Sequence, residues 1–288
     1  MKINDIIENI KKYHRGYGVI DPATTRDQIL YGDPDKECTG IVTTCWANMD
    51  VIRYAIEKGA NLIICHEALF WNHGDHQDWL MEAKVSTYLA KKKVLDKYGI
   101  VVWRDHDYIH SGIPYKDGYI DGIFYGLANK LGLENNLSVD KVTNKRFDGL
   151  YHSMVYKLDE EVNITEFARF LVDKLNLNGI KLIGNKDAMI RNIVILTHVL
   201  SNANKEIITT DQNEVDCILA MEMVDFTYME YIRDSSLQGM NRNILSMGHF
   251  NLEEPGMEYL LTYLEEAIGE HVEACYCQSG DNYQYITK

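Results

Sequence analysis

Residues 40–65, GIVTTCWANMDVIRYAIEKGANLIIC, decide the fold. The turn chemistry of YGDPDKE (31–37) releases an apolar, β-branched run, GIVTTCW, that reads as a strand. Asn48 is placed to cap the helix MDVIRYAIEK, and Gly59 to end it in the left-handed conformation. NLIIC is then a second buried strand, and a strand–helix–strand unit of this length builds parallel sheet.

The same alternation continues in both directions. Ile3, Ile6, Ile7 and Ile10 recur at helical spacing near the N-terminus. WLMEAKVSTYLAKKKVLDKYG (79–99) reads as one helix, IVVW (100–103) as a third strand, RDHDYIHSGIPYKDGYIDG (104–122) as a polar loop, and IFYGLANKLGL as a helix. From about residue 142 the pattern gives a strand in GLYHSMVYKL, a helix in NITEFARFLVDKLNL, and strands in IVILTH, DCILAM and RNILSMGH. PGMEYLLTYLEEAI follows as a helix with Pro255 in its first turn, and the tail holds a last strand. The expected architecture is α/β in two domains, with the site at the carboxyl ends of strands. Residues 1–130 and 245–288 are expected to form the metal-bearing domain, and residues 131–244 an inserted α/β domain.

Composition narrows the function classes. Of 288 residues, 46% are hydrophobic, which supports a sizeable core. Twenty-nine Lys and Arg against 43 Asp and Glu leave a formal charge of −14, which repels phosphate backbones and argues against nucleic acid as a partner. The one basic run, Lys91–Lys93, reads as a solvated helix face. Six cysteines show no C-x-x-C pair, no apolar run reaches the ~20 residues of a membrane span, and the opening MKINDIIENIKKYH lacks a signal-peptide core. A reduced, cytoplasmic setting without membrane contact is expected.

The chemistry collects at three strand ends. His66 and Glu67 follow NLIIC; His106, Asp107 and His110 follow IVVW; His249 and Glu253 follow NILSM. Imidazoles mixed with carboxylates suit zinc, iron, nickel or manganese, and carboxylates can bridge two cations. His249 and Glu253, four residues apart, share a face if that segment is already helical. The middle ligand is either Asp107 or His110. His106 or Asp107 is expected to orient a ligand or shuttle a proton, and Glu254 is a weaker candidate base. His14, His152, His198 and His271 have no partner at ligand spacing; His73 and His76 read as surface loop, and Cys65 as a buried packing residue. Neither G-x-G-x-x-G nor G-x-x-x-x-G-K-[ST] occurs, which leaves a phosphate-binding loop without support.

CHEALF, HDYIH and GHFNLEEPG resemble, in this order, the motifs of the dinuclear metal centre family named for type 2 GTP cyclohydrolase I: His-His-Pro-Leu, His-Thr-x-x-Asp and Gly-His-x-x-x-Glu. His66 and Glu67 fall on the two His of the first motif, His106 and His110 on the His and Asp of the second, and His249 and Glu253 on the third. Glu at 67 and His at 110 exchange ligand types, so one carboxylate and one imidazole are kept overall. The resemblance implies two α/β domains, two divalent ions held by His66, Glu67, His110, His249 and Glu253, and a homo-oligomer, commonly a hexamer. The activity it implies is hydrolysis of a small molecule that the sequence does not identify. The competing expectation is a non-catalytic metal-binding or regulatory oligomer.

Overall fold

The computed structural model describes residues 1–138, 140–142, 149–200 and 202–286. They divide into two compact units. Met1–Gly126 and Gly256–Ser279, with residues 149–150, form the first; Tyr151–Pro255, with the described parts of 127–142 and 280–286, form the second.

In the first unit a five-stranded sheet runs in the order Ile29–Tyr31, Val101–Arg104, Leu62–Cys65, Ile41–Thr44, Ala274–Tyr276. All pairings are parallel except the Ile29–Tyr31 edge. Every residue of the three central strands is buried, the signature of a parallel sheet covered on both faces. The helix Met49–Lys58 forms as the sequence expects: Asn48 Oδ1 accepts from the amides of Asp50 and Val51, both at 3.0 Å, and Gly59 ends it at φ +70°. Ile3, Ile6, Ile7 and Ile10 are buried along the first helix, Ile3–Tyr13, which packs against Leu264–Ile268.

Three local expectations change. The helix expected over 79–99 is two, Asp78–Glu82 and Ser86–Tyr98, because Lys84 turns left-handed (φ +50°) between them. Lys91 is buried rather than solvated. Its ammonium donates to the Leu69 carbonyl at 2.8 Å and lies over the rings of Trp46, Phe70 and Trp71, and burial pushes its pKa down to about 8. The polar loop 104–122 contains a one-turn helix, Asp107–Ser111, and a hairpin of Ile113–Tyr115 with Gly118–Ile120.

The second unit holds another five-stranded sheet, in the order Val155–Asn163, Met189–Val199, Cys217–Met223, Asn243–Ser246, Lys181–Ile183. Its three inner strands are parallel and both edges antiparallel. Asn243–Ser246 lies in this unit, not with the N-terminal residues, because it pairs with Cys217–Met223 and Lys181–Ile183. The following helix is His249–Tyr259, so Pro255 is an interior residue instead of a first-turn one. No helix among the described residues is long and apolar enough to cross a membrane.

Gly256 marks a close approach inside the first unit. A Cβ built on it would lie 2.5 Å from Ile123 Cα and 2.9 Å from Ile123 O, both backbone atoms that cannot swing aside. Gly256→Ala is therefore expected to destabilise the protein by about 2–3 kcal/mol, read as a lower thermal midpoint with unchanged far-ultraviolet dichroism. A midpoint equal to the parent's would show that the two segments move apart freely.

Candidate metal centre

The parallel sheet of the first unit delivers His66 directly from its strand. The ladder continues past the strand end: the amides of His66 and Glu67 both donate to Cys45 O, at 2.9 and 2.8 Å, and that of Asp105 to Cys65 O at 2.8 Å. His66 is fully buried and Glu67 is buried beside it, with their ligand atoms within 4.8 Å of each other. Cys65, just before them, is fully buried in the hydrophobic core, and burial pushes its thiol up to about 12.

Asp27 builds the next part. The one-turn helix Asp107–Ser111 has no side-chain cap of its own, and Asp27 supplies one from 80 residues away. Its Oδ1 accepts from the amides of His106 (2.9 Å) and Tyr108 (3.3 Å), and its Oδ2 from that of Asp107 (2.7 Å) and the Thr25 hydroxyl (2.8 Å). This fixes the turn on which His106 and His110 stand.

The three imidazoles share one arrangement. His66 Nδ1 meets Asp105 O at 2.9 Å, His106 Nδ1 meets Asp107 Oδ1 at 3.0 Å, and His110 Nδ1 meets Asp121 Oδ2 at 2.7 Å. An oxygen acceptor at Nδ1 selects the Nδ1–H tautomer and makes Nε2 the basic nitrogen. The rings of His66 and His106 stack at 4.6 Å, and that of His110 stands edge-on to both at 4.9 and 5.2 Å. One ligand nitrogen of each lies within 4.8 Å of the other two. The donor set fits a divalent ion, since three neutral imidazoles with oriented Nδ1–H groups are what zinc, iron or nickel accept.

The carboxyls around them are set by their neighbours. Burial pulls the Asp107 pKa up, but His106, the Arg26 amide and the Thr25 hydroxyl, which shares its one proton between Asp27 and Asp107, outweigh it and hold the carboxyl below its usual range. Asp105 is fully buried, and burial with the adjacent Asp27 charge raises its pKa well above normal. His14, fully enclosed with Nδ1 3.6 Å from Asp105, is pushed down to about 3 by burial.

The second unit carries its own group. His249 begins its helix, and Glu253 follows one turn later on the same face, with His249 Nε2 3.0 Å from Glu253 Oε2. His249 Nδ1 meets Glu222 Oε1 at 2.5 Å, and Glu222 Oε2 meets His198 Nδ1 at 2.6 Å. Burial raises the Glu222 pKa, but its bonds to His249 and His198 prevail and lower it overall. Glu254, the weaker candidate base, is buried.

Sequence reasoning missed Asp27, Asp121, Glu222 and His198. Asp121 carried a local signal, since the Asp-Gly opening of a helix suits a cap, and its Oδ1 does accept from the amides of Ile123 and Phe124. His198 and Glu222 had none: they face each other across parallel strands. His73 and His76 remain loop residues, although the His73 ring reaches 5.8 Å from that of His106.

Comparison with known proteins agrees with the fold. The chain is 24% identical over 278 residues to a Clostridium perfringens protein named GTP cyclohydrolase 1 type 2 homolog, covering 95% of each. A Clostridium acetobutylicum protein of the same name is 23% identical over 240 residues, covering 83% of this chain and 81% of that one. The crystal structure of a Bacillus cereus protein related to NIF3 superposes with a TM-score of 0.68 at 15% identity over 99% of both chains. A family model matches residues 1–95 and 116–282, a span that includes His66, Glu67, His249 and Glu253 but leaves out the segment of His106 and His110. On that match the chain belongs to the Duf34/NIF3 (NGG1p interacting factor 3) family.

Proposed function

We propose that this protein is a metal-dependent hydrolase with a dinuclear centre, acting on a small molecule. Its ligands are His66, Glu67, His110, His249 and Glu253, with His106 either as a further ligand or, with Asp107, as the proton-handling pair. The single observation that carries the reading is the trio His66, His106 and His110, each Nδ1 held by an oxygen and one nitrogen of each within 4.8 Å of the others. Divalent ions (zinc, iron, manganese or nickel) supply Lewis acidity and acidify water.

The chain's own residues do the rest. Asp107, held ionised, keeps His106 oriented and can take up positive charge on the imidazole when a proton arrives. Asp121 and the Asp105 carbonyl lock the other two rings. A cavity of about 480 Å³ lined by Arg15, Thr24, Thr25, Asp107, His110 and Ser111 offers room for a small substrate beside this trio. The name of the clostridial relatives is consistent with hydrolysis. A cytoplasmic homo-oligomer, hexameric as the family resemblance suggests, completes the proposal.

Elemental analysis of the purified protein tests it, beside His66→Ala and His249→Ala. The expected result is about two ions per chain in the parent and fewer in both variants. A parent without metal after supplementation with zinc, iron, manganese and nickel in turn would overturn the reading.

A further inference from the structure

We propose that Glu222 is a positioning residue for the metal centre: it holds His249 in the Nδ1–H tautomer, with Nε2 turned to Glu253, and His198 holds Glu222. The inference rests on the ligand roles proposed above for His249 and Glu253, and all four residues lie in the second unit.

The geometry is a chain of three contacts. Glu222 Oε1 is 2.5 Å from His249 Nδ1, the opposite nitrogen of that ring is 3.0 Å from Glu253 Oε2, and the other Glu222 oxygen is 2.6 Å from His198 Nδ1. Exposure falls along it, from 54% for the His198 side chain through 39% and 17% to 4% for Glu253. The outer members are thus wet and the inner ones dry. His249 has a carboxylate oxygen at each ring nitrogen, and a neutral imidazole has one proton; the shorter contact, to Glu222, takes it, leaving the Nε2 lone pair to share an ion with Glu253.

The sheet explains why Glu222 can do this. His198 and Glu222 are register partners on adjacent parallel strands, near the carboxyl ends of both. Side chains directly opposite on one face stay within hydrogen-bond reach, so His198 restrains a carboxylate that would otherwise be a half-exposed rotor. His66, His106 and His110 show the same device with Asp105 O, Asp107 and Asp121. Glu222 extends it to a fourth imidazole, through a residue that no motif marks. If His198, Glu222 and His249 instead bound an ion together, each would be a ligand, and the two cases differ in their response to substitution.

The experiment is Zn²⁺ and Co²⁺ affinity by chelator competition on the full chain, with imidazole ¹⁵N shifts of the metal-free protein. Glu222→Ala is expected to weaken binding about 10–100-fold. Glu222→Gln, whose amide oxygen still accepts from Nδ1–H, keeps most of the affinity, and His198→Ala costs less than Glu222→Ala. In a His249→Ala background, Glu222→Ala adds no further loss. The shifts place the His249 proton on Nδ1 in the parent and redistribute it in Glu222→Ala. Affinities are compared well below the metal-free thermal midpoint of each variant, so the stability that the two Glu222 hydrogen bonds contribute does not enter the affinity readout. Unchanged affinity in Glu222→Ala overturns the inference. So does equal loss in Glu222→Gln, Glu222→Ala and His198→Ala, which makes them ligands. A parent that binds no ion overturns the metal reading instead, and the ¹⁵N shifts then decide the tautomer alone: a proton on Nε2 overturns it.

Discussion

Asp27→Ala is expected to cost about 3–5 kcal/mol, because hydrogen bonds to a charged group are worth roughly 1.5–3 kcal/mol each and three amides lose theirs together. Asp27 is 5% exposed and accepts from the amides of His106, Asp107 and Tyr108 as well as from Thr25. The five-residue helix Asp107–Ser111 has no side-chain cap of its own. Asp27→Asn is the informative partner. It keeps one acceptor oxygen and removes a negative charge beside the buried Asp105, so its cost should fall to about 1–2 kcal/mol. Calorimetry of the metal-free proteins gives both values. Asp27→Ala within error of the parent would mean that the helix stands without its distant cap. Substantial loss should also appear as weaker ion binding, since His106 and His110 stand on that turn.

The second large effect is a dependence of stability on pH set by His14. Its folded-state pKa of about 3 lies below the ordinary 6.5, owing to burial. A lowered pKa means that the folded state refuses a proton the unfolded chain accepts. The neutral-His contribution is therefore fully present above pH 6.5 and is lost as pH falls from 6.5 toward 3. The slope in that window approaches ~1.4 kcal/mol per pH unit, and the whole effect about 5 kcal/mol. Asp105 works the other way. Its raised pKa favours the folded state at low pH, a benefit lost as pH rises through the folded value. Replacing His14 by Gln removes the first effect and keeps the second. Urea midpoints between pH 7 and 4.5 should fall more steeply in the parent than in His14→Gln. Parallel slopes would show that His14 and Asp105, 3.6 Å apart, exchange the proton between them and titrate as one.

What the sequence by itself determined is what local chemistry and hydrophobic period dictate. Residues 40–65 contain their own cap, their own stop and two short runs rich in β-branched and apolar residues, so strand–helix–strand was legible without any neighbour. The same holds for Ile3–Tyr13 and for the Asn163-capped helix Ile164–Leu175. It also showed that His66 and Glu67 leave a buried strand, because apolar-then-polar order at a parallel strand end is written in the chain. Tertiary structure alone decided the rest, wherever the stabilising partner is distant in sequence. The turn 107–111 is helical because of Asp27, Lys91 is buried because the Leu69 carbonyl and three rings receive it, and Asn243–Ser246 sits in the second unit because its pairing partners are there. Likewise, Glu222 meets His249 only through strand register and the start of a helix 27 residues on. A hydrogen-bonding group satisfied from afar leaves no periodic trace around itself, so Asp27 and Glu222 stay silent in a sequence whose candidate ligands follow its apolar strands.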